Sequence, residues 1–173
     1  MQKLIDDLLV YSQVGAQKFP FEPTDCNSLL DQVTANLSVA IDENHAIIVR
    51  DDLPIVDCNS SQMAQLFQNL ISNAIKFRSN QTPRIHIAAE RKGDEWLFSI
   101  KDNGIGIDPQ YKDRILKIFQ RLHSSDEYPG TGIGLALCKK IVEYHDGTFW
   151  VESDCGKGAT FYFTLPIKED EKP

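Results

Sequence analysis

Two runs in this chain alternate glycine with other residues: DNGIGID at 102–108 and GTGIGL at 130–135. The first carries Gly104 and Gly106, the second Gly130, Gly132 and Gly134. Glycines so spaced let backbone amides turn inward and approach a ligand closely. The second run leads into an apolar helical pattern, which places its amides at a helix N-terminus, a natural phosphate site. Between the runs lies a polar, aperiodic segment, 123–129, expected to act as a lid. Together they read as a nucleotide pocket.

A second polar group comes earlier. From about 61 to 78, Met63, Leu66, Phe67, Leu70, Ile71, Ala74 and Ile75 form one wide apolar stripe, the mark of an amphipathic helix. At ~100° per residue, Asn69, Asn73 and Lys76 fall within about 60° of one another on its flank, with Phe77 at the border. Two amides and a lysine beside a buried stripe are costly unless they meet water or a polar ligand. For this helix alone, an exposed polar edge is the plain alternative.

The elements that must carry these groups follow from periodicity. A helix is expected over 1–16, its apolar stripe needing a partner on its own domain or, the reading favoured here, across a dimer. Residues 18–23 read as an extended linker. Thr24 or Asp25 caps a helix over about 26–42. Strands are expected at 47–50, 55–57, 84–90, 96–102, 148–153 and 159–166, the middle pair as a hairpin through Gly93. The second hairpin strand delivers Asp102 to the first glycine run. A short helix is expected from Pro109 to Phe119 and a longer one over 133–145. The class is therefore α/β, with strands and helices in two layers and about five main strands with three principal helices.

Size and charge narrow the function. A chain of 173 residues suits one domain with a real core. Its net charge is −7 and no basic cluster stands out, so nucleic acid is not an expected partner. Cys26, Cys58, Cys138 and Cys155 form no CxxC pair, so zinc is not expected. They read as free thiols of a reducing, cytoplasmic setting. No run approaches ~18 apolar residues. The P-loop pattern is absent, and Pro109 and Leu137 stand where a GxGxxG motif needs its third glycine.

The order QLFQNLISNAIKF (65–77), DNGIGID, KIFQRL (117–122), GTGIGLAL and GKGAT (156–160) resembles the catalytic ATP-binding domain of sensor histidine kinases. This is the superfamily shared with Hsp90, DNA gyrase and MutL, and the wording is most similar to phytochrome-type kinases. The resemblance covers about 19–166. It implies a Bergerat-type fold: a two-layer sandwich of a mixed five-stranded sheet and three helices, preceded by an N-terminal helix. It further implies that Asn73 holds Mg²⁺, with Asn69 assisting. Lys76 contacts the phosphates of ATP, and Arg121 stabilises their charge, although a surface salt bridge is its plain alternative. Phe77, where tyrosine is common in the family, packs on the adenine. Asp102 accepts from the adenine amino group; Gly104 and Gly106 lie close to the base and Ile107 lines the pocket. Gly130, Thr131, Gly132 and Gly134 cradle the phosphates, Leu135 anchors the helix, and Thr160 reaches the adenine.

The family's usual HGG is here His145-Asp146-Gly147, a change that a left-handed turn tolerates. Residues 1–18 resemble the end of the second helix of a phosphoacceptor and dimerisation domain and its linker. Residues 19–167 form the catalytic domain, and 168–173 an acidic tail. No histidine lies in an acceptor context, so the chain is expected to be a piece of a larger, homodimeric kinase. Its expected partners are that kinase's own phosphoacceptor domain and, downstream, the receiver domain of a response regulator. The competing readings are a nucleotide-binding regulatory module without transfer activity and a serine kinase or ATPase of the same superfamily.

Overall fold

The computed structural model describes residues 2–122 and 130–168. The expected lid, 123–129, lies outside the described residues, as does nearly all of the acidic tail. Helix α1, Gln2–Gln13, is followed by strand β1, Glu22–Asp25, and helix α2, Cys26–Asn36. Helix α3, Ser38–Glu43, and strands β2, Ile47–Arg50, and β3, Ile55–Cys58, come next. Helix α4, Ser60–Lys76, leads to the hairpin β4, Arg84–Lys92, and β5, Glu95–Asp102. Helix α5, Gly134–Tyr144, and strands β6, Phe149–Ser153, and β7, Ala159–Pro166, complete the order.

The main sheet has five strands in the order β2-β4-β5-β7-β6, with β2 parallel to β4 and the other pairs antiparallel. Its alternation puts Ile85, Ile87, Phe98, Ile100, Phe149, Val151, Phe161 and Phe163 on one buried face. Helix α4 lies on that face and buries all seven residues of its stripe. Phe98 and Phe163 sit opposite each other in the β5–β7 register and stack at 4.7 Å. Phe67 meets both edge-on, at 6.2 and 5.9 Å. Aromatic rings prefer such edge contacts, so this trio fixes the helix at one place on the sheet.

The structure departs from the expected elements in three places. The helix over 26–42 is two helices, broken at Leu37 (φ −98°, ψ 10°); nothing in the residue types there announces the break. The end of the expected linker is strand β1, paired antiparallel with β3 in a separate two-stranded sheet. Its Glu-Pro-Thr-Asp sequence lacks a strand's alternation of apolar residues. The helix expected from Pro109 is two 3₁₀ turns, Pro109–Tyr111 and Arg114–Leu116, of which only Ile115 is buried. One buried residue is too little apolar surface to hold a longer helix. Helix α1 packs Leu4, Leu8 and Tyr11 against its own domain, while Ile5, Leu9 and Val10 stay exposed. Lys140 seals this contact, its Nζ donating to the Tyr11 carbonyl at 2.7 Å.

Other expectations hold. Asp25 caps α2, accepting from the Asn27 N–H at 2.9 Å. Asp146 takes the left-handed φ of 61° that the turn requires. All four cysteines are free thiols. Burial pushes those of Cys26 and Cys138 up to about 12.

His145 ends α5 and is buried. Its Nδ1 lies 2.8 Å from the Ile141 carbonyl, and its Nε2 faces the Asn59 backbone N–H at 3.1 Å. These partners require a proton on Nδ1 and a lone pair on Nε2, which is the neutral ring. Burial accordingly holds its pKa below the usual 6.5. The unfolded chain therefore binds this proton at a higher pH than the folded one. The stability that His145 contributes is present above pH 6.5 and is lost as pH falls toward the folded value. His145→Phe should destabilise by about 1–3 kcal/mol at neutral pH, because the Asn59 N–H loses its acceptor. Urea midpoints between about pH 7.5 and pH 5 should fall less steeply in the variant than in the wild type; equal slopes would refute the assignment.

Candidate functional site

Between α4, the two glycine runs and the inner face of the sheet lies a cavity of about 530 Å³. That is the size of a small-molecule site. Because the aromatic trio fixes the opposite side of α4, its flank turns Asn69, Asn73, Lys76 and Phe77 into this cavity. Asp102, Gly106 and Ile107 line it from the first run, and Gly130 through Leu135 from the second. Arg121 and Leu122 contribute from KIFQRL. The sequence thus brought all but two of its candidate residues to one place.

The exceptions are Gly104 and Thr160. Thr160 follows Ala159 and precedes Phe161, which both line the cavity. Alternation along β7 therefore sends Thr160 to the opposite face, where it pairs with Lys101 and Glu152. The expectation that Thr160 reaches the base is corrected: the position facing the cavity is held by Ala159.

 Gly104 is buried against the α4 terminus and does not line the cavity. A side chain there would strike the Phe77 carbonyl, which accepts the Ile105 N–H at 3.0 Å. Gly106 lines the cavity at φ 74°, and a side chain on it would collide with the Asp154 carbonyl. The first run is thus clamped between α4 and the β6–β7 turn. That turn adds the Gly156 N–H, which donates to the Ile105 carbonyl at 2.7 Å. Ser153 Oγ accepts the Ile107 N–H at 2.8 Å and donates to the Gly158 carbonyl at 2.6 Å.

This clamp positions Asp102. Its Oδ1 accepts from the Gly104 N–H at 2.9 Å and from the Ala159 N–H at 3.2 Å. Its Oδ2 makes no hydrogen bond among the described residues. Burial raises the carboxyl pKa, and the two amide bonds counter part of that rise. A fixed carboxylate with one oxygen to spare, beside Ile107, Ala159 and Phe161, suits a flat ligand with an exocyclic donor.

The cationic part of the cavity has a different character. Burial lowers the Lys76 pKa first, and the charges of Lys3 and Arg121 lower it further. Gly130 lies against the Lys76 ammonium: a Cβ there would come within 2.9 Å of Nζ. Gly132 has φ 77°, and a Cβ on it would come within 3.1 Å of the Arg121 Cγ. Helix α5 starts at Gly134 with no side-chain cap, so its first amides remain available to an anion. Clustered cations around an uncapped helix start fit a polyphosphate.

Asn69 and Asn73 differ. Asn69 Oδ1 accepts from Gln65 Nε2 at 3.1 Å, and its Nδ2 donates to the Gly134 carbonyl at 3.3 Å. It therefore latches α4 to the second glycine run. The Asn73 side chain makes no hydrogen bond among the described residues, leaving its amide oxygen for a ligand. Sequence reasoning missed the apolar lining of Ile105, Ile115, Leu122, Leu137, Ala159 and Phe161. For Ile105, Leu122, Ala159 and Phe161 the available signal was their place next to already assigned residues; Ile115 and Leu137 had none of that kind. It also missed Lys3 and Asp7 of α1, which no local pattern announces.

The family model described as "Histidine kinase-, DNA gyrase B-, and HSP90-like ATPase" matches residues 58–169. The chain belongs to this family. Cyanobacterial phytochrome A of Nostoc sp. is 59% identical over 99% of this chain. Phytochrome-like protein Cph1 of Synechocystis sp. is 50% identical over 96% of it. The chain spans 22% of the length of each of these two relatives. Among solved structures, full-length ShkA in complex with AMPPNP superposes with a TM-score of 0.81 at 27% identity. The match covers 95% of this chain and 35% of that one.

The glycines separate folding from binding. Gly106→Ala should lower the melting temperature, because it forces a side chain into the Asp154 carbonyl at positive φ. Gly134 has nothing within 4 Å of an added Cβ and lies in a helix. Gly134→Ala should therefore melt within a few degrees of the wild type, or above it by an amount equivalent to about 0.5–1 kcal/mol. Thermal denaturation of both variants checks the contrast.

Proposed function

We propose that this chain is the ATP·Mg²⁺-binding catalytic domain of a sensor histidine kinase. It places the γ-phosphate of ATP for in-line attack by a histidine on the kinase's own phosphoacceptor and dimerisation domain. The phosphoryl group then passes to the receiver domain of a response regulator. The observation that carries this reading is one cavity joining the clamped Asp102 carboxylate to the cationic, glycine-lined start of α5. Family membership and the resemblance to phytochromes support it. On this reading residues 1–18 are the end of a dimerisation-domain helix and its linker, residues 19–167 the catalytic domain, and the kinase works as a homodimer in the cytoplasm. Among the described residues no helix is long and apolar enough to cross a membrane.

Each residue then has a task. Asp102 Oδ2 accepts from the adenine amino group, while Ile107, Phe77 and Phe161 flank the ring. Guanine, with a carbonyl where adenine has its amino group, leaves the carboxylate facing an acceptor and is rejected. Gly130, Thr131, Gly132 and Gly134 offer backbone amides to the phosphates, with Leu135 anchoring the helix start. Lys76 and Arg121 offset their charge.

The donor set fits magnesium, a hard ion that takes few protein ligands besides phosphate oxygens and water. Asn73 holds it through its amide oxygen. Asn69, already bound to Gln65 and Gly134, assists by fixing the loop. When bound, the ion neutralises charge on the phosphates. The protein's contribution to the reaction is placement and charge stabilisation.

Three measurements test this. Asp102→Asn should weaken ATP binding by at least about tenfold, since the amide can present a donor to the adenine amino group. Asn73→Ala should remove most of the magnesium dependence of ATP affinity while leaving the metal-free affinity near its wild-type level. Unchanged affinity in both variants by isothermal titration would refute the reading. With labelled ATP, the 173-residue chain should acquire no acid-labile label alone. It should transfer label to an added phosphoacceptor domain. ATP binding without such transfer would favour the regulatory-module reading.

A further inference from the structure

Helix α1 does more than rest on the domain, because two of its residues enter the wall of the cavity. Lys3 and Asp7 both line it. Four residues apart on a helix, they stand on one face, one turn from each other. Asp7 is tied to the second glycine run: the Thr131 hydroxyl donates to its Oδ2 at 2.7 Å. The next residue back, Gly130, is the one packed against the Lys76 ammonium. Lys3 is thereby brought to the cationic part of the cavity, where its charge and that of Arg121 act on Lys76. Neither Lys3 nor Lys76 forms an ion pair among the described residues. Among the described residues two carboxylates line the cavity, Asp102, which accepts from the Gly104 and Ala159 amides, and Asp7, which accepts from the Thr131 hydroxyl, and neither forms an ion pair with Lys3 or Lys76. Two cations with no ion pair among the described residues, brought together by two separate elements, mark a place for an added negative charge.

We infer that Lys3 contacts the terminal phosphate of the nucleoside triphosphate, so that triphosphate binding and the docking of α1 reinforce each other. The inference rests on the reading of the cavity as an ATP site. It makes α1 a part of the phosphate-binding wall that distinguishes ATP from ADP. Linkage requires reciprocity: whatever holds α1 in place raises ATP affinity, and ATP holds α1 in place by the same factor. Asp7 acts through Thr131, as a positioning residue that keeps the helix in register with the glycine run.

The test compares the affinities of the 173-residue chain for Mg²⁺·ATP and Mg²⁺·ADP by isothermal titration. Lys3 is exposed, so its replacement leaves the core intact. Lys3→Ala should weaken ATP binding about tenfold, the scale of one charge-assisted contact, and ADP binding less than about twofold. Lys3→Arg should retain most of the ATP affinity. In the wild type, ATP should slow amide hydrogen exchange in α1 more than ADP does, and Lys3→Ala should abolish that difference. Equal losses for the two nucleotides, or no loss, would overturn the inference while leaving the ATP site standing. A wild-type chain that binds neither nucleotide would overturn both.

Discussion

The seat of α4 on the sheet is the contact on which the rest depends. Phe67 enters against the stacked Phe98 and Phe163, and these three rings are completely buried. Each contributes roughly 1.5–3 kcal/mol through burial, with a further increment from edge-to-face geometry. The energetic point matters less than the geometric one. A helix held on one side in a single rotation has no freedom left on the other. Asn69, Asn73 and Lys76 face the cavity because Leu66, Phe67, Leu70 and Ile71 cannot face anything else.

That dependence explains what was readable from the residues. The apolar stripe of α4 was legible, and the polar flank followed from helix geometry alone. The alternation of β4 and β5 placed Asp102 at a strand end beside the first glycine run. The second run and the helix after it were equally plain. What periodicity could not give was the cause of the glycines. Gly104 and Gly106 suggested close approach to a ligand, whereas the nearest obstacles are the carbonyls of Phe77 and Asp154. A glycine required by a neighbouring backbone looks the same in sequence as one required by a substrate.

The remaining errors have similar physical origins. Thr160 was one residue out of phase, and in a strand one residue changes the face. Strand β1 lacks the alternation of a strand and owes its form to β3, its partner across the two-stranded sheet. The break at Leu37 arises without glycine or proline. Lys3 and Asp7 lie more than a hundred positions before the glycine run that Asp7 meets, and only tertiary packing brings them to it. Helix α1 also divides its apolar residues: Leu4, Leu8 and Tyr11 turn inward while Ile5, Leu9 and Val10 do not. A stripe read as needing one partner has two sides.

The contacts between α4 and α5 have a mechanical meaning. Near one end, Asn69 Nδ2 donates to the Gly134 carbonyl; in the middle, Cys138 Sγ lies 3.9 Å from the Leu66 carbonyl; at the other end, His145 Nε2 accepts the Asn59 N–H. Helices riveted at three stations cannot slide past each other without breaking a buried polar contact. They form a plate, so adjustment to an arriving ligand falls to the parts set around it, the glycine runs and the docked helix α1. The plate also reaches away from the cavity, since His145 stacks on Phe21 at 4.6 Å beside the start of β1. The α4–α5 pair is therefore a stiff member that carries its shape from the cavity to the two-stranded sheet.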